Sequence, residues 1–224
     1  MTMKIYKYSL TVLICVHTTN EYYDNLLLKA LKTLENQTYK KFTTLIVLDA
    51  CWEHTKPKII NSNFDLSINF LEKSVRTGLH DAKNFGLSNI ETDLVAFLDG
   101  DDLYINNKIE KQLEYYETHD DVDFLGTQSW VINKDDEQNL HESCFKLNTN
   151  ETHEELSSTL YGENVLTHGS LMIRKKCLDA LGGYVGDLGR EDWNLWHRAL
   201  NHGFRFYQIQ ERLYIYRLYT GQER

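Results

Sequence analysis

Three aspartates follow one short apolar segment and form the part of this sequence best suited to chemistry. Leu94-Val-Ala-Phe-Leu98 is typical of a buried strand, and it runs directly into Asp99-Gly-Asp-Asp102. Adjacent carboxylates repel one another, so this cluster costs stability unless a cation or solvent offsets the charge. Carboxylate ligands in small number suit Mg²⁺ or Mn²⁺, with substrate phosphates completing the octahedron. Because Asp and Gly are also common turn residues, a solvated turn explains the segment about equally well.

A further carboxylate, Asp49, ends another segment that is typical of a buried strand. Strands and helices alternate through this half of the chain, which predicts an α/β fold with a parallel sheet and helices on both faces. Such sheets bind ligands beyond the carboxyl ends of their strands, so Asp49 and the aspartate cluster are expected to meet at one edge. The predicted strands are 10–16, 43–48, 67–71 and 94–98, the predicted helices are 25–35 and 77–89, and Ile59 and Ile60 fall in a connection without a clear prediction.

The second half of the chain shows a less regular pattern. It predicts helices at 108–119 and 191–202, strands at 124–133, 170–174 and 213–218, and a polar loop at 133–152. No repeat or Pro/Gly/Ser-rich linker divides the sequence. We therefore expect residues 1–224 to form a single domain.

Composition limits the classes of function. The net charge of −9 argues against a general nucleic-acid binder, although a cation held by carboxylates can reverse the local sign at a phosphate site. No apolar run approaches the roughly 20 residues that span a bilayer, and no signal peptide is recognisable. The cysteines do not form a Cys-x-x-Cys pair, which favours reduced thiols in a cytoplasmic protein. They are Cys15, Cys51, Cys144 and Cys177.

Glu191 and Asp192 begin a predicted helix that carries two tryptophans, Trp193 and Trp196. An acidic residue at a helix start commonly caps free amides and complements the helix dipole, so these residues alone do not require a catalytic role. The tryptophans are better explained as core residues than as a platform for a sugar ring.

Seven segments in a fixed order together resemble a family 2 glycosyltransferase of the GT-A fold, over nearly the whole chain. The resemblance implies a Rossmann-like, mostly parallel sheet, a nucleotide-sugar-binding half up to about residue 105 and an acceptor-binding half from about residue 106. The seven segments are the opening strand 10–16, Asn36–Tyr39, Asp49, Gly78–Gly86, Phe97–Leu103, Gly182–Tyr184 and Glu191–Trp196.

The same resemblance implies roles on the donor side. Asp101 would bind a Mn²⁺ or Mg²⁺ ion that bridges the diphosphate, and Asp99 would face the ribose or the water shell of the metal. Asp49 would accept the N3 hydrogen of a uracil or thymine base. The donor-binding residues implied in total are Cys15, Val16, His17, Asp49, Arg76, Lys83, Asp99 and Gly100.

On the acceptor side, the resemblance implies that Asp192 is the catalytic base of an inverting transfer from a nucleotide-diphosphate sugar, with a UDP-sugar favoured. The acceptor would be a saccharide or a lipid-linked saccharide, used in the cytoplasm or at a membrane surface. His168, Glu191 and Trp193 are the candidate acceptor residues, and a purely structural histidine is an equally good interpretation of His168.

Several positions depart from the pattern of the family. Leu48-Asp49 replaces a pair of acids, Ala50-Cys51 replaces small polar residues, and Tyr219 stands where many members have a histidine. A non-catalytic sugar-nucleotide or carbohydrate-binding module is therefore an alternative. A sugar nucleotidyltransferase is a weaker one, because Val16–Glu21 contains neither the glycine nor the lysine of its phosphate loop.

Overall fold

The computed structural model describes residues 4–133, 136–142, 152–186 and 190–219. The first part of the chain forms β1 (Leu10–Val16), α1 (Glu21–Glu35), β2 (Thr43–Asp49), α2 (Thr55–Asn61), β3 (Ser67–Lys73), α3 (Leu79–Leu87), β4 (Leu94–Phe97) and β5 (Leu103–Tyr104). The second part forms α4 (Lys108–Thr118), β6 (Phe124–Asn133), β7 (Asp136–Glu142), α5 (His153–Leu160), a 3-10 turn (His168–Ser170), β8 (Met172–Arg174), α6 (Lys175–Ala180), α7 (Glu191–Asn201) and β9 (Phe206–Leu218).

The strands of the described residues join in one sheet with the order β3-β2-β1-β4-β8-β6-β9-β5, and β7 pairs with β6 at the side. Strands β3, β2, β1 and β4 are mutually parallel, which confirms the predicted α/β fold. Beyond β4 the sheet is mixed, because β8 is antiparallel to both β4 and β6, whereas β9 runs parallel to β6. The parallel half brings the ends of β1, β2 and β4 to one edge, as the sequence predicts.

Helices cover both faces of the sheet, and alternate residues of β1 show how. Val12 and Ile14 pack in a core with Leu31 of α1, whereas Leu13 packs on the other face with Ala82 of α3. Gly86 allows α3 to approach closely, since a Cβ atom there would lie 2.6 Å from Cδ1 of Leu13. Trp196 is completely buried in the second core, which confirms it as a core residue.

Several helix and strand limits differ from the sequence predictions for local reasons. Helix α1 begins at Glu21 rather than at residue 25, because the side chain of Asn20 accepts a hydrogen bond from the backbone of Tyr22 and caps the helix. Helix α2 occupies the connection that had no clear prediction. Helix α3 is shorter than predicted and spans Leu79–Leu87.

The predicted loop at 133–152 is wrong in part, because β7 pairs with β6 within it, and residues 143–151 lie outside the described part of the chain. The predicted final strand at 213–218 is too short, since β9 already begins at Phe206. The exposed Gln210 and Glu211 interrupt its apolar pattern where the β6–β9 register shifts. Helix α5 was not predicted, although Thr152 and Glu155 form a capping box.

Cys15, Cys51 and Cys177 carry free thiols, and Cys144 lies outside the described residues. None of the helices in the described part of the chain combines the length and apolarity that a bilayer crossing needs.

Candidate active site

The acidic loop after β4 lies directly against the end of β1. A Cβ atom on Gly100 would stand 2.4 Å from Cγ1 of Val16, so only glycine lets the loop come this close. The loop places Asp99 and Asp101 on either side of this contact, and both side chains are half-buried. The predicted donor residues Val16 and Gly100 are therefore in close contact, and this contact fixes the backbone between the two aspartates.

Asp102, the third acid of the cluster, is a structural residue. It is 1% exposed and accepts hydrogen bonds from the hydroxyl of Tyr214 (2.6 Å) and the backbone N–H of Arg217 (2.7 Å), both in β9. Burial raises the pKa of Asp102 well above its ordinary value, and the nearby charges of Asp101 and Asp99 add to this effect. Asp99 and Asp101 are therefore the two aspartates of the cluster that can contact a ligand.

Asp101 is connected to the end of β9 by its side chain and by its backbone. The hydroxyl of Tyr219 donates a hydrogen bond of 2.7 Å to Oδ2 of Asp101, and Nε of Arg217 donates one of 2.8 Å to its carbonyl oxygen. Tyr219 is the residue that replaces the histidine of the family pattern, and it lies at the carboxylate predicted to bind the metal.

Asp99 is surrounded by charged groups from other elements of the fold. Its pKa is raised to about 6, chiefly by burial and also by the like charges of Asp101, Glu191 and Asp192, while the positive charge of Lys83 in α3 opposes the rise. The carboxyl end of β4, the side of α3 and the start of α7 therefore all contribute charge to the surroundings of Asp99.

A buried ion pair joins α3 to α7. Nζ of Lys83 lies 3.1 Å from Oε1 of Glu191, with side-chain exposures of 4% and 11%. The same ammonium group lies 4.9 Å from the centre of the Tyr184 ring. Glu191 was predicted on the acceptor side, and the structure instead pairs it with a predicted donor residue.

Asp192 follows Glu191 in the first turn of α7 and is half-buried. Its Oδ1 accepts a hydrogen bond of 2.7 Å from the backbone of Trp193, and its Oδ2 accepts one of 3.0 Å from Nδ2 of Asn164. A helix start therefore fixes the carboxylate near Asp99.

Asp49 lies at the end of β2 and holds the connection that follows β3. It is 3% exposed, and its carboxylate accepts hydrogen bonds from the backbone of Thr77 (3.1 Å) and Gly78 (3.1 Å). Nδ1 of His17 lies 2.7 Å from the carbonyl oxygen of Asp49, which joins the ends of β1 and β2. Arg76 stands exposed on the turn that Asp49 holds.

Cys15 lies between these groups. Burial raises the pKa of its thiol to about 12, and the charges of Lys83, Asp99 and Asp49 all act on it. Its environment thus contains the predicted donor residues of three separate elements, and its thiol stays protonated at neutral pH.

His168 is buried in the second core, where its Nε2 lies 2.7 Å from the hydroxyl of Tyr184 and its ring lies 4.6 Å from that of Phe97. Burial and the charge of Lys83 lower its pKa well below the ordinary value, so the ring is neutral. These contacts favour the structural interpretation of this residue.

Trp193 lies at the surface of α7 and its indole N–H donates to the carbonyl oxygen of Leu160 (2.7 Å). It lines a cleft of about 320 Å³ together with Gly186, Arg190, Asn194 and His197. The half-buried ring and the cleft beside it keep Trp193 as a candidate for acceptor contact.

Asn84 is a residue of the site that the sequence analysis missed. Its side-chain amide donates to the carbonyl oxygen of Tyr184 (2.7 Å) and accepts from the backbone N–H of the same residue (2.8 Å). A Cβ atom on Gly183 would lie 2.3 Å from Oδ1 of Asn84, and Gly182 and Gly183 both adopt positive φ. The Gly-Gly pair was the sequence signal for a backbone that approaches another element closely.

Within the described residues, no group of three or more His, Cys, Asp or Glu side chains is arranged to hold a metal ion. Asp99 and Asp101 offer hard oxygen ligands whose mutual repulsion a cation would relieve, so they fit a site that phosphate oxygens complete.

The family of this chain follows from its similarity to known proteins. The model of the family described as Glycosyl transferase family 2 matches residues 13–182. The chain belongs to glycosyl transferase family 2. Curated relatives of this family-2 chain include an uncharacterised glycosyltransferase of Methanocaldococcus jannaschii, which is 28% identical over 85% of this chain and 65% of its own length. The O-antigen biosynthesis glycosyltransferase WbnJ of Escherichia coli is 26% identical over 94% of this chain and 80% of its own length.

Solved structures confirm the GT-A fold of this family-2 chain. TarS of S. aureus (residues 1–349) in complex with UDP-GlcNAc has a TM-score of 0.75 at 16% identity and covers 96% of the chain. The mannosyltransferase PcManGT of Pyrobaculum calidifontis, in complex with GDP-Man and Mn²⁺, has a TM-score of 0.70 at 17% identity and covers 94%. The chain spans about 60% of these two solved chains and 65% of the M. jannaschii protein.

Proposed function

We propose that this family-2 chain is an inverting, metal-dependent glycosyltransferase that moves a sugar from a UDP-sugar to the hydroxyl of a saccharide or lipid-linked saccharide. The observation that carries the proposal is the meeting of Asp99, Lys83 and Asp192 at one edge of the sheet. Asp99 follows β4, Lys83 lies in α3 and Asp192 lies in α7. Together they provide positive charge for a diphosphate and a carboxylate that can act as the general base.

The donor would lie across the ends of β1, β2 and β4. Lys83 and Arg76 offer positive charge to a diphosphate, while Asp99 would face the ribose or the water shell of the metal. The carboxylate of Asp49 already accepts from the backbone of Thr77 and Gly78 and, at 3.4 Å, from the Thr77 hydroxyl, so the N3 hydrogen of uracil would take the place of that long contact. A base would have to enter between this turn and the end of β1, because Asp49 is nearly buried.

Asp101 would hold a Mn²⁺ or Mg²⁺ ion, with Asp99 in its water shell. The ion supplies charge stabilisation for the leaving diphosphate. Tyr219 keeps the carboxylate of Asp101 oriented through the hydrogen bond to its Oδ2 atom. The Mn²⁺ in the PcManGT complex supports this assignment by analogy of fold.

Asp192 would act as the general base. The acceptor oxygen forms a bond to the anomeric carbon while the bond from that carbon to the diphosphate oxygen breaks, and Asp192 takes the hydroxyl proton. Attack opposite the leaving group inverts the configuration. Trp193 and the cleft beside it would receive the acceptor, next to the base on the same helix.

A thermal-shift screen of UDP-, GDP- and TDP-sugars with and without MnCl₂ tests the donor and the metal together. We expect a UDP-sugar to raise the melting temperature only when Mn²⁺ is present. Release of UDP from that donor, measured with water or added glycans as acceptor, then tests catalysis. Stabilisation without any UDP release would show a binding module instead of an enzyme.

A further inference from the structure

We infer that Asn164 is the positioning residue of Asp192: its side-chain amide fixes the direction of the Oδ2 atom. The inference rests on the proposed role of Asp192 as the base. Asn164 lies in the turn that follows α5, and it is absent from the sequence predictions.

Hydrogen bonds on both sides determine the orientation of the Asn164 amide. The indole Nε1 of Trp196 donates to Oδ1 of Asn164 (3.2 Å), and Nδ2 of Asn164 lies 3.0 Å from Oδ2 of Asp192. An indole N–H can only donate and an ionised carboxylate can only accept. The amide therefore cannot be reversed without losing both hydrogen bonds, and its N–H must point to Asp192.

The core holds this arrangement in place. Trp196 is completely buried, so its indole N–H needs an acceptor, and Asn164 supplies it. One turn earlier, Nε1 of Trp193 (2.7 Å) and Nε2 of His197 (2.9 Å) both lie at the carbonyl oxygen of Leu160. The end of α5 is thus docked on α7 four residues before Asn164, which holds Asn164 close to Asp192.

A structural role for Asn164 would require only an acceptor for Trp196. The Nδ2 group of Asn164 has a different role. It donates a hydrogen bond to the carboxylate of Asp192, which lies near the negative charges of Asp99 and Glu191. A donor of this kind holds the carboxylate in one orientation, which a general base needs in order to reach the acceptor hydroxyl. The backbone N–H of Trp193 donates to Oδ1 and holds the other carboxylate oxygen.

Asn164→Asp separates the two roles. The variant keeps the shape of the side chain and an acceptor for Trp196, but it replaces the donor to Asp192 with a second carboxyl group. Tyr161→Phe is the matched control, since the Tyr161 hydroxyl ties the same turn to Asn201 of α7 (3.1 Å) and does not contact Asp192.

The first measurement is the ¹H–¹⁵N NMR signal of the Asn164 side-chain amide, assigned through its loss in Asn164→Asp. We expect the amide signal to shift in Asp192→Ala, because the hydrogen bond from Nδ2 to Oδ2 is then lost, and to stay in place in Tyr161→Phe. An unchanged amide signal in Asp192→Ala would overturn the inference, and this result does not depend on any donor or acceptor substrate.

The second measurement is the rate of UDP release from the donor found in the screen. Asn164→Asp should lower kcat by about tenfold or more with little change in KM for the donor, because the carboxylate of Asp192 loses its orientation, whereas Tyr161→Phe should leave both constants unchanged. An unchanged kcat in Asn164→Asp would refute the link between Asn164 and catalysis. Full turnover in Asp192→Asn would instead refute the proposed base itself, so the two failures are distinguishable.

Discussion

Nζ of Lys83 lies 3.1 Å from Oε1 of Glu191, and this pair connects the helix after β3 to the helix that carries Asp192. Both side chains are almost buried, so each charge depends on the other for its stability. The ion pair also keeps a positive charge beside Asp99, where a diphosphate would lie.

Lys83→Met is expected to destabilise the fold by about 3–5 kcal/mol, because it leaves the charge of Glu191 buried without its ammonium partner. The double variant Lys83→Met/Glu191→Leu should recover a large part of that loss, since both charges are then removed. Urea unfolding of the three proteins measures this.

An exposed ion pair provides the comparison for that experiment. Lys111 and Glu211 lie 2.9 Å apart with side-chain exposures of 39% and 51%. Lys111→Met should change the free energy of unfolding far less than Lys83→Met, because water screens exposed charges. Equal losses in Lys83→Met and Lys111→Met would show that burial does not strengthen the Lys83–Glu191 pair.

Asp192→Asn should leave the fold and donor binding intact and reduce transfer by about 10²–10⁴-fold, the usual contribution of a general base. UDP release at saturating donor measures the loss, and the thermal shift with donor and Mn²⁺ checks binding. Asp65→Asn, a change at an exposed carboxylate after α2, is the control and should retain full activity.

Asp101→Asn should weaken Mn²⁺-dependent binding of UDP by more than about tenfold, because even residues that only support metal ligands typically contribute 10–100-fold. Isothermal titration of UDP in the presence and absence of Mn²⁺ measures the difference. Binding that is equally tight in Asp101→Asn would remove this residue from the metal site.

Tyr219→Phe tests the hydroxyl that holds Asp101. We expect Mn²⁺ affinity to fall by about tenfold, since Oδ2 of Asp101 loses its hydrogen bond. Tyr219→His offers the cation a nitrogen ligand and should bind it at least as tightly as the original chain. Tyr23→Phe, at an exposed tyrosine of α1, should change nothing.

Asp99 makes stability depend on pH. Its pKa in the folded chain, about 6, lies above the ordinary value of 3.8, so the folded state binds the proton more tightly than the unfolded state. The resulting stabilisation is complete below about pH 3.8 and is lost as the pH rises through about 6. Without metal, Asp99→Asn should therefore be more stable than the original chain at pH 7, by as much as about 3 kcal/mol.

Urea unfolding at intervals between pH 4 and pH 7 measures this effect. The difference between Asp99→Asn and the original chain should grow across the interval and then level off. A constant difference for Asp99→Asn would contradict the raised pKa.

The parallel half of the fold was predictable because each strand is short, apolar and followed by polar residues. Asp49 and Asp99 could be assigned to one edge of the sheet from this pattern alone. The second half was not predictable to the same degree, since its strands run in mixed directions and β8 is only three residues long. Strand β9 contains exposed polar residues in its middle, and only its pairing with β6 makes it continuous.

Side-chain partners in the site were harder to foresee than its carboxylates. The acidic residues stand out as a cluster, whereas Asn84, Asn164 and Tyr214 are isolated polar residues in ordinary surroundings. Their roles depend on contacts such as the hydrogen bond from Tyr214 to Asp102, which joins residues 112 positions apart. A single sequence carries no signal for such contacts.

The anchoring of Asp102 by β9 has a consequence for synthesis on the ribosome. The acidic loop emerges more than a hundred residues before Tyr214 and Arg217, so it is translated long before the groups that hold it. Because domains tend to fold from the amino terminus as they are made, the nascent chain passes through a stage in which the parallel strands are complete and the acidic loop is still unsupported. Arrest of translation before residue 214 should therefore give a partly folded chain that has not yet acquired affinity for a divalent cation.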